Sequence, residues 1–331
     1  MAESLDRVMA RYARAADKAV DRYLKVGDHP TLKEAMRWIP MAGGKRLRPV
    51  LTQMVGEAVG GARGAKAALP VGVALEIIHN FTLVHDDIMD RSGLRRNRVT
   101  VHIKWDEPTA INAGDALFAR AFEVMQDVPG KDALKVELYG EVARMVRGIA
   151  EGQQADMQFE KAKKVTRAQY LLMIERKTAL MFSTGAYAGA RSAGAPKRLA
   201  RELQEYGRSL GIAFQIQDDL LDLGALEKDL GKPIGKDIRN GKRTVMVIDA
   251  LEALTGPRLV EFKWALGNQR ASKEQVARAV ELMDECGALA RARRLADRRG
   301  AEALHNLRWV KRGPARDRLA EMVTFVTSRA K

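Results

Sequence analysis

The sequence predicts an all-α protein with a single large domain, and three observations support this fold class. Apolar residues make up 46% of the 331 residues, which is enough for a sizeable core, whereas aromatic residues make up only 5%. Ala, Leu, Arg and Glu are abundant and alternating β-branched runs are scarce, so helices are favoured over strands. Between breaks rich in Gly and Pro, apolar residues recur at spacings of three and four, the period of helices that bury one face.

The breaks divide the chain into roughly a dozen predicted helices, with no convincing strand pair and no long linker. They lie at residues 27–30, 40–49, 60–64, 129–130, 193–196, 231–242, 256–257 and 312–314. The single predicted domain spans residues 1–331, with a motif-bearing core at about residues 40–250 and C-terminal helices over residues 258–331.

The net charge of +15 is compatible with nucleic acid, an anionic membrane surface or phosphorylated substrates as partners. Much of the excess lies near the C-terminus, where basic residues alternate with Ala and Leu as on a solvated helix face. We therefore expect no nucleic acid and at most peripheral membrane contact. The charged N-terminus lacks a secretory apolar segment, the uncharged run 178–190 is too short to span a bilayer, and Cys286 is the one cysteine. A cytoplasmic location is expected.

Two aspartate clusters, "VHDDIMD" (84–90) and "IQDDLLD" (216–222), follow apolar helical stretches. Residues four apart share one face of a helix, so Asp86 projects with Asp90, and Asp218 with Asp222. Carboxylates placed side by side repel one another unless a cation lies between them. Oxygen-only ligands suit Mg²⁺, which is usually completed by water and substrate phosphates. The pair of clusters therefore predicts a magnesium site.

Basic residues lie close to both clusters. Lys45 and Arg48 fall one turn apart in "GGKRLRP", and Arg95 and Arg96 follow the first cluster on a predicted loop. The glycine-rich segment after the second cluster contains Lys232, Lys236, Lys242 and Arg243. Arg and Lys near helix N-termini suit phosphate groups, so the acidic and basic elements together predict a metal–polyphosphate site.

Four more side chains are candidates for this metal–polyphosphate site. His79 lies two turns before Asp86 on the same face, although a lone His on an apolar helix is often a core residue. Gln215 shares its face with Asp218 and Asp222. Lys177 and Thr178 place a charge inside an apolar helix, where an anionic ligand would offset it.

Seven motifs, taken in order, resemble those of the trans-isoprenyl diphosphate synthases. They are "GGKRLRP", "HDDIMDRSGLRR", "AINAGDALF", "GQQADMQFE", "RKTALMF", "FQIQDDLLD" and "GKPIGKDIRNGKRT", which span about residues 40–250. The form "FTLVHDDIMD" is most similar to archaeal geranylgeranyl or farnesyl/geranylgeranyl diphosphate synthases.

The resemblance implies an antiparallel helical bundle of the isoprenoid synthase type around a central cavity, normally as a homodimer. It also implies head-to-tail condensation of isopentenyl diphosphate with allylic (dimethylallyl, geranyl or farnesyl) diphosphates, assisted by about three Mg²⁺ ions per active site. By motif match, the ions would be held by Asp86, Asp90, Asp218 and Asp222. The allylic diphosphate would be bound by Arg95, Lys177, Lys232 and Lys242, and isopentenyl diphosphate by Lys45, Arg48, His79 and Arg96. Thr178 and Gln215 would lie near the developing carbocation.

Product length is assigned to Phe81 and Thr82, which lie about 6–7.5 Å deeper along the helix than Asp86. Phe81 as a floor for the growing chain predicts a short product, geranylgeranyl diphosphate, with farnesyl and geranylfarnesyl diphosphate as alternatives. Phe81 as an ordinary core residue is the competing interpretation. Asn97 and Val99 stand where the family commonly has Gly and Pro, and Asp106 where glycine is common, so the shape of this loop is in question.

Three other functions compete with this one. A terpene cyclase or head-to-head coupling enzyme also uses aspartate-rich helices, but it has no need for both basic segments. A metal phosphohydrolase built on "HDD" (85–87) leaves the second cluster unexplained. A regulatory subunit or nucleic-acid binder would not need two complete acidic clusters.

Overall fold

The computed structural model of the protein describes residues 3–224 and 236–328. These residues form fifteen α-helices, and the predicted all-α class is confirmed. The helices are α1 Leu5–Tyr23, α2 Pro30–Trp38, α3 Leu47–Met89, α4 Val101–Lys104, α5 Glu107–Met125, α6 Asp132–Lys161, α7 Arg167–Ile174, α8 Leu180–Ser192, α9 Lys197–Gly224, α10 Lys236–Arg239, α11 Val245–Ala253, α12 Gly256–Ala265, α13 Lys273–Glu285, α14 Ala288–Asn306 and α15 Pro314–Thr327. Two 3₁₀ turns, Pro40–Ala42 and Leu307–Trp309, and a π-helical turn, Glu175–Ala179, complete the helical structure of these residues.

The chain divides into two compact units, which we describe separately. The first unit contains residues 3–144, 184–204 and 307–321. The second unit contains residues 145–183, 205–224, 236–306 and 322–328.

The core of the first unit is organised around α3, which packs against α1 and α5. The helix α1 buries Val8, Tyr12, Ala16, Ala19 and Tyr23, whose spacings of three and four place them on one face. The remaining face of α1 is charged, so this helix needs only one partner surface.

The long helix α3 is interrupted at Gly60–Gly61, where Gly61 has a φ of 62°. A Cβ on Gly56 would lie only 2.6 Å from the carbonyl oxygen of Gly64, so the chain on either side of the break approaches closely because both residues are glycine. By length and composition α3 passes the test for a membrane span, but 61% of its most apolar stretch is buried inside the protein. A core helix passes the same test, and we interpret α3 as one.

The second unit has a core of its own, in which the largest fully buried side chains include Tyr170, Tyr206 and Phe262. The helix α11 packs against α14, and the buried carboxylate of Asp249 joins them through Arg291 at 3.0 Å. Burying a carboxylate is costly unless cations pair with it. A second cation, Arg167, lies 2.5 Å from the same group and ties in α7.

The structure contains a strand pair of two residues each, which the sequence did not predict. Strand β1, Leu94–Arg95, pairs antiparallel with strand β2, Arg98–Val99. Its turn residues, Arg96 and Asn97, have φ values of 52° and 59°, as a tight two-residue hairpin of type I′ requires. Asn tolerates this conformation well, so the turn forms without glycine at residue 97.

The residue Asp106 also has a structural role. Its side chain accepts a hydrogen bond of 2.6 Å from the backbone N–H of Thr109 and so caps the N-terminus of α5.

Candidate active site

In the first unit, the first acidic cluster lies at the C-terminal end of α3. The backbone N–H of Asp90 donates to the carbonyl of Asp86 at 2.8 Å, so the two residues are one turn apart as predicted. Asp86 is half-buried and Asp90 is exposed. The C-terminus of a helix carries a partial negative charge, so carboxylates there cost stability unless a cation binds. This placement points to a function rather than to a contribution to folding.

The middle carboxylate of this cluster, Asp87, is buried. Its Oδ1 accepts hydrogen bonds from Nε and Nη2 of Arg95 at 3.0 and 2.6 Å. Burial raises the pKa of Asp87, and the Arg95 guanidinium opposes that rise. Arg95 is thereby held by the carboxylate that lies between Asp86 and Asp90 in the sequence.

The guanidinium of Arg96 is enclosed by two segments of the first unit. It donates to the carbonyl of Ile39 at 3.1 Å and to Oδ1 of Asn80 at 3.3 Å. A Cβ on Gly44 would lie 3.3 Å from the guanidinium carbon, so glycine leaves room for Arg96 to pack on the loop. Burial lowers the pKa of Arg96.

The predicted basic residues of "GGKRLRP" lie at the start of α3. Lys45 is exposed, and half-buried Arg48 lies in the first turn of the helix. Between them, Arg46 is buried in a left-handed conformation with a φ of 49°. It pairs with Asp17 at 2.6 Å and with Glu76 at 2.9 Å, which anchors the loop to α1 and α3.

The half-buried imidazole of His79 belongs to the same basic cluster. Burial, together with the positive charges of Arg48 and Arg96, holds the pKa of His79 well below its usual range. The imidazole is therefore neutral at pH 7 and can donate a hydrogen bond without adding charge.

Phe81 is half-buried, and its ring contacts that of Phe118 on α5. The centroid of Phe81 lies 5.4 Å from that of Phe118, which in turn lies 5.2 Å from that of Phe122. The hydroxyl of Thr82 donates to the carbonyl of His79 at 2.8 Å. Of the two predicted length-determining residues, Phe81 is the one that joins an aromatic cluster.

In the second unit, the second acidic cluster lies near the C-terminal end of α9. Asp218 and Asp222 are half-buried, whereas the middle carboxylate, Asp219, is buried. Asp219 accepts hydrogen bonds from the hydroxyl of Tyr170 at 2.7 Å and from the amide of Gln215 at 2.8 Å. Burial raises its pKa. Both clusters thus share one design, in which the middle carboxylate is buried and bound by protein groups.

Lys242 lies 3.7 Å from Asp219 and 3.2 Å from Asp237. Its burial favours the neutral amine, but these two carboxylates outweigh burial and raise its pKa, so the ammonium stays charged. Lys232, the other predicted basic ligand of this segment, lies outside the described residues.

The π-helical turn Glu175–Ala179 presents Lys177 and Thr178. Lys177 pairs with Asp156 of α6 at 2.5 Å, and the hydroxyl of Thr178 donates to Oε1 of Gln215 at 2.7 Å. A Cβ on Gly152 would collide with the backbone nitrogen of Lys177, so α6 approaches the turn closely only through this glycine. Single π-helical turns are frequent at functional sites.

The sequence interpretation missed four residues of these two sites. Asp87, Asp219 and Asp156 each hold a predicted cation, and Asn80 binds Arg96. For Asp87 and Asp219 the sequence did contain a signal, because an aspartate recurs at the same position of both clusters. For Asn80 the sequence contains no such signal.

The chain matches known proteins over almost its whole length. Residues 29–283 match the polyprenyl synthetase family model. A geranylgeranyl diphosphate synthase of Methanosarcina mazei is 40% identical over 95% of this chain and 94% of its own. A geranylfarnesyl diphosphate synthase of Natronomonas pharaonis is 33% identical over 99% of both chains.

The fold comparison agrees with the sequence matches. The crystal structure of a geranylgeranyl pyrophosphate synthetase from Pyrococcus horikoshii superposes with a TM-score of 0.91, at 36% identity, over 99% of this chain and 100% of the other. The chain therefore belongs to the polyprenyl synthetase family and is a prenyltransferase.

Proposed function

We propose that the protein condenses isopentenyl diphosphate head-to-tail with allylic diphosphates in a Mg²⁺-dependent reaction, and that its main product is geranylgeranyl diphosphate. The observation that carries the proposal is the shared design of the two acidic clusters. In each, the middle carboxylate is buried and bound by protein groups, while Asp86 and Asp90, or Asp218 and Asp222, are at least partly accessible.

The donors fit magnesium. The outer carboxylates supply oxygen ligands only, as Mg²⁺ prefers. Within residues 3–224 and 236–328, no group of three or more His, Cys, Asp or Glu side chains forms a complete metal cage. An ion completed by water and substrate diphosphate needs no such cage, and Mg²⁺ bound in this way would neutralise the charge of the leaving diphosphate.

The protein side chains would act mainly by charge. Arg95, Lys177 and Lys242 are each oriented by a carboxylate, so little reorganisation is needed when an allylic diphosphate binds. Their contacts with the leaving oxygen strengthen as its charge develops, which lowers the barrier to ionisation. The Thr178 hydroxyl and the Gln215 amide are dipoles suited to a position near the allylic cation.

Isopentenyl diphosphate would be bound by the basic cluster of the first unit. Lys45, Arg48 and Arg96 supply positive charge, and neutral His79 supplies a hydrogen-bond donor. Binding in this cluster would orient the double bond for attack on the allylic cation and so replace a bimolecular encounter by a positioned one.

Product length would depend on the aromatic cluster of Phe81, Phe118 and Phe122. Phe81 precedes Asp86 by five residues on α3, and its ring lies against that of Phe118 on α5, so a chain that grows along α3 from the acidic cluster would meet these rings. Geranylfarnesyl diphosphate is the second candidate product, because a relative with that activity in its name matches the whole chain.

Three further expectations belong to this proposal. The enzyme would act as a homodimer in the cytoplasm, with at most peripheral contact to a membrane.

The proposal is tested by product analysis with labelled isopentenyl diphosphate and each allylic primer, with and without Mg²⁺. Asp90→Asn and Asp218→Asn are each expected to lower turnover by about a hundredfold or more, because each removes a metal ligand. Asp284→Asn, at an exposed position of α13, is the matched control and should leave turnover unchanged. Full turnover without Mg²⁺, or in both cluster variants, would refute the proposal.

A further inference from the structure

The side chain of Arg96 depends on the rest of the unit for its position. Its backbone lies in the left-handed region, at the tip of a hairpin whose strands have two residues each. So short a hairpin does not hold its shape alone. What orients the guanidinium is its pair of acceptors, the carbonyl of Ile39 and the side chain of Asn80.

Asn80 is fully buried, and its amide orientation is determined by its neighbours. Nδ2 donates to the carbonyl of Glu76 at 2.7 Å, which leaves Oδ1 to accept from Nη1 of Arg96 at 3.3 Å. A carbonyl accepts only and a guanidinium donates only, so the reverse orientation would lose both bonds. A residue at this position must therefore both donate and accept, which Leu, Ala and ionised Asp cannot do.

The same amide links Arg96 to the loop of residues 43–46, which precedes α3. Oε1 of Glu76 accepts from Nη1 of Arg46 at 2.9 Å and lies 3.4 Å from Nδ2 of Asn80. Arg46 precedes α3 and lies next to Lys45. Asn80 thus joins the hairpin and the loop through buried hydrogen bonds, which are worth most where water is excluded.

We propose that Asn80 is a positioning residue for isopentenyl diphosphate, acting through its hydrogen bond to Arg96. The inference rests on the proposed function, which assigns Arg96 to that substrate. Without Asn80, the guanidinium loses a buried acceptor and samples other orientations. The affinity for isopentenyl diphosphate then falls, while the affinity for the allylic substrate is unchanged.

The test compares Asn80→Ala, Asn80→Leu and Arg96→Ala with the double variant Asn80→Leu/Arg96→Ala. Asn80→Leu keeps the buried volume, so it serves if the alanine variant fails to fold. Gln53→Leu is the matched control, because Gln53 is also a buried amide of α3 that donates to the carbonyl four residues earlier, at 3.0 Å. The readouts are KM for each substrate, kcat, and the Kd of isopentenyl diphosphate from calorimetry.

We expect Asn80→Leu to raise KM and Kd for isopentenyl diphosphate about tenfold, with less than about a twofold change in the allylic KM. In the Arg96→Ala background, Asn80→Leu should raise KM and Kd for isopentenyl diphosphate by less than about a further twofold, because the hydrogen bond from Arg96 to Asn80 is already absent. Gln53→Leu should lower thermal stability and leave both KM values unchanged.

Three outcomes would overturn the inference. They are a wild-type KM for isopentenyl diphosphate in Asn80→Leu, an equal rise in both KM values, and a full tenfold effect in the Arg96→Ala background. If Arg96→Ala itself binds isopentenyl diphosphate normally, the assignment of Arg96 under the proposed function fails instead, and that result is separately visible.

Discussion

The ion pair of Arg95 and Asp87 should respond unequally to removal of its two partners. The Asp87 side chain is 1% exposed, whereas the Arg95 side chain is 30% exposed. Asp87→Asn leaves a guanidinium that water can reach, while Arg95→Met leaves a carboxylate that water cannot reach. The second variant should therefore be the less stable one.

The magnitudes follow from this difference in exposure. Asp87→Asn weakens two hydrogen bonds to a charged group, which costs about 1–2 kcal/mol because the amide can still accept from Arg95. Arg95→Met leaves a buried charge uncompensated, for which about 3–5 kcal/mol is typical. The double variant Asp87→Asn/Arg95→Met should lie closer to the first single variant than to the second.

The assay is urea unfolding of the four proteins over a range of pH. Loss of Arg95 removes the cation that opposes the rise in the pKa of Asp87, so that pKa rises further. The folded state then binds a proton more tightly than the unfolded state, and stability decreases as pH rises. The deficit of Arg95→Met should thus shrink as the pH falls from about 8 to about 5.

Equal destabilisation by the two single variants, or a deficit of Arg95→Met that grows at low pH, would contradict this reasoning. Either result would mean that Asp87 is hydrated, or that another group compensates its charge. Arg308→Met, at an exposed position of the first unit, is a control for the loss of an arginine.

Three further predictions concern other parts of the molecule. Gly152→Ala should abolish most activity and lower the thermal midpoint, because its Cβ would collide with the backbone of Lys177; near-normal turnover would show that the turn can shift freely. Glu137→Gln should cost about 1–2 kcal/mol at pH 7, because Arg191 lowers the pKa of Glu137 to about 2 and solvent screening reduces the free energy that this shift contributes. That contribution is lost as the pH falls from about 4.5 to about 2, so an acid titration in which both proteins lose stability in parallel would contradict it. Phe81→Ala should lengthen the product, as chromatography of dephosphorylated products would detect; an unchanged distribution would exclude Phe81 as the floor.

The fold class and the local placement of several site residues could be predicted from the sequence. The helical class follows from composition and from spacings of three and four. The outer residues of each acidic cluster share a face because four residues make about one turn. The placement of Lys45 and Arg48 at a helix start also follows from local signals, since Gly43–Gly44 ends the preceding structure.

The partners of the two middle aspartates, Asp87 and Asp219, could not be predicted from helical periodicity. Periodicity places Asp87 and Asp219 about 100° away from their neighbours, but it does not say what lies in that direction. Asp87 binds an arginine from a hairpin that the sequence did not predict, and Asp219 binds a tyrosine 49 residues earlier in the chain. The hairpin itself was missed because two-residue strands produce no alternating pattern.

By itself, the sequence determined the helices, the two aspartate clusters and the family, because each depends on residues within one or two helical turns or on motifs in order. Only the tertiary structure decided that the middle carboxylates are buried and bound by protein groups while the outer ones are at least partly accessible, and that Asn80 binds Arg96. The physical reason is that a buried polar group must find a partner, and packing brings that partner from a distant part of the chain.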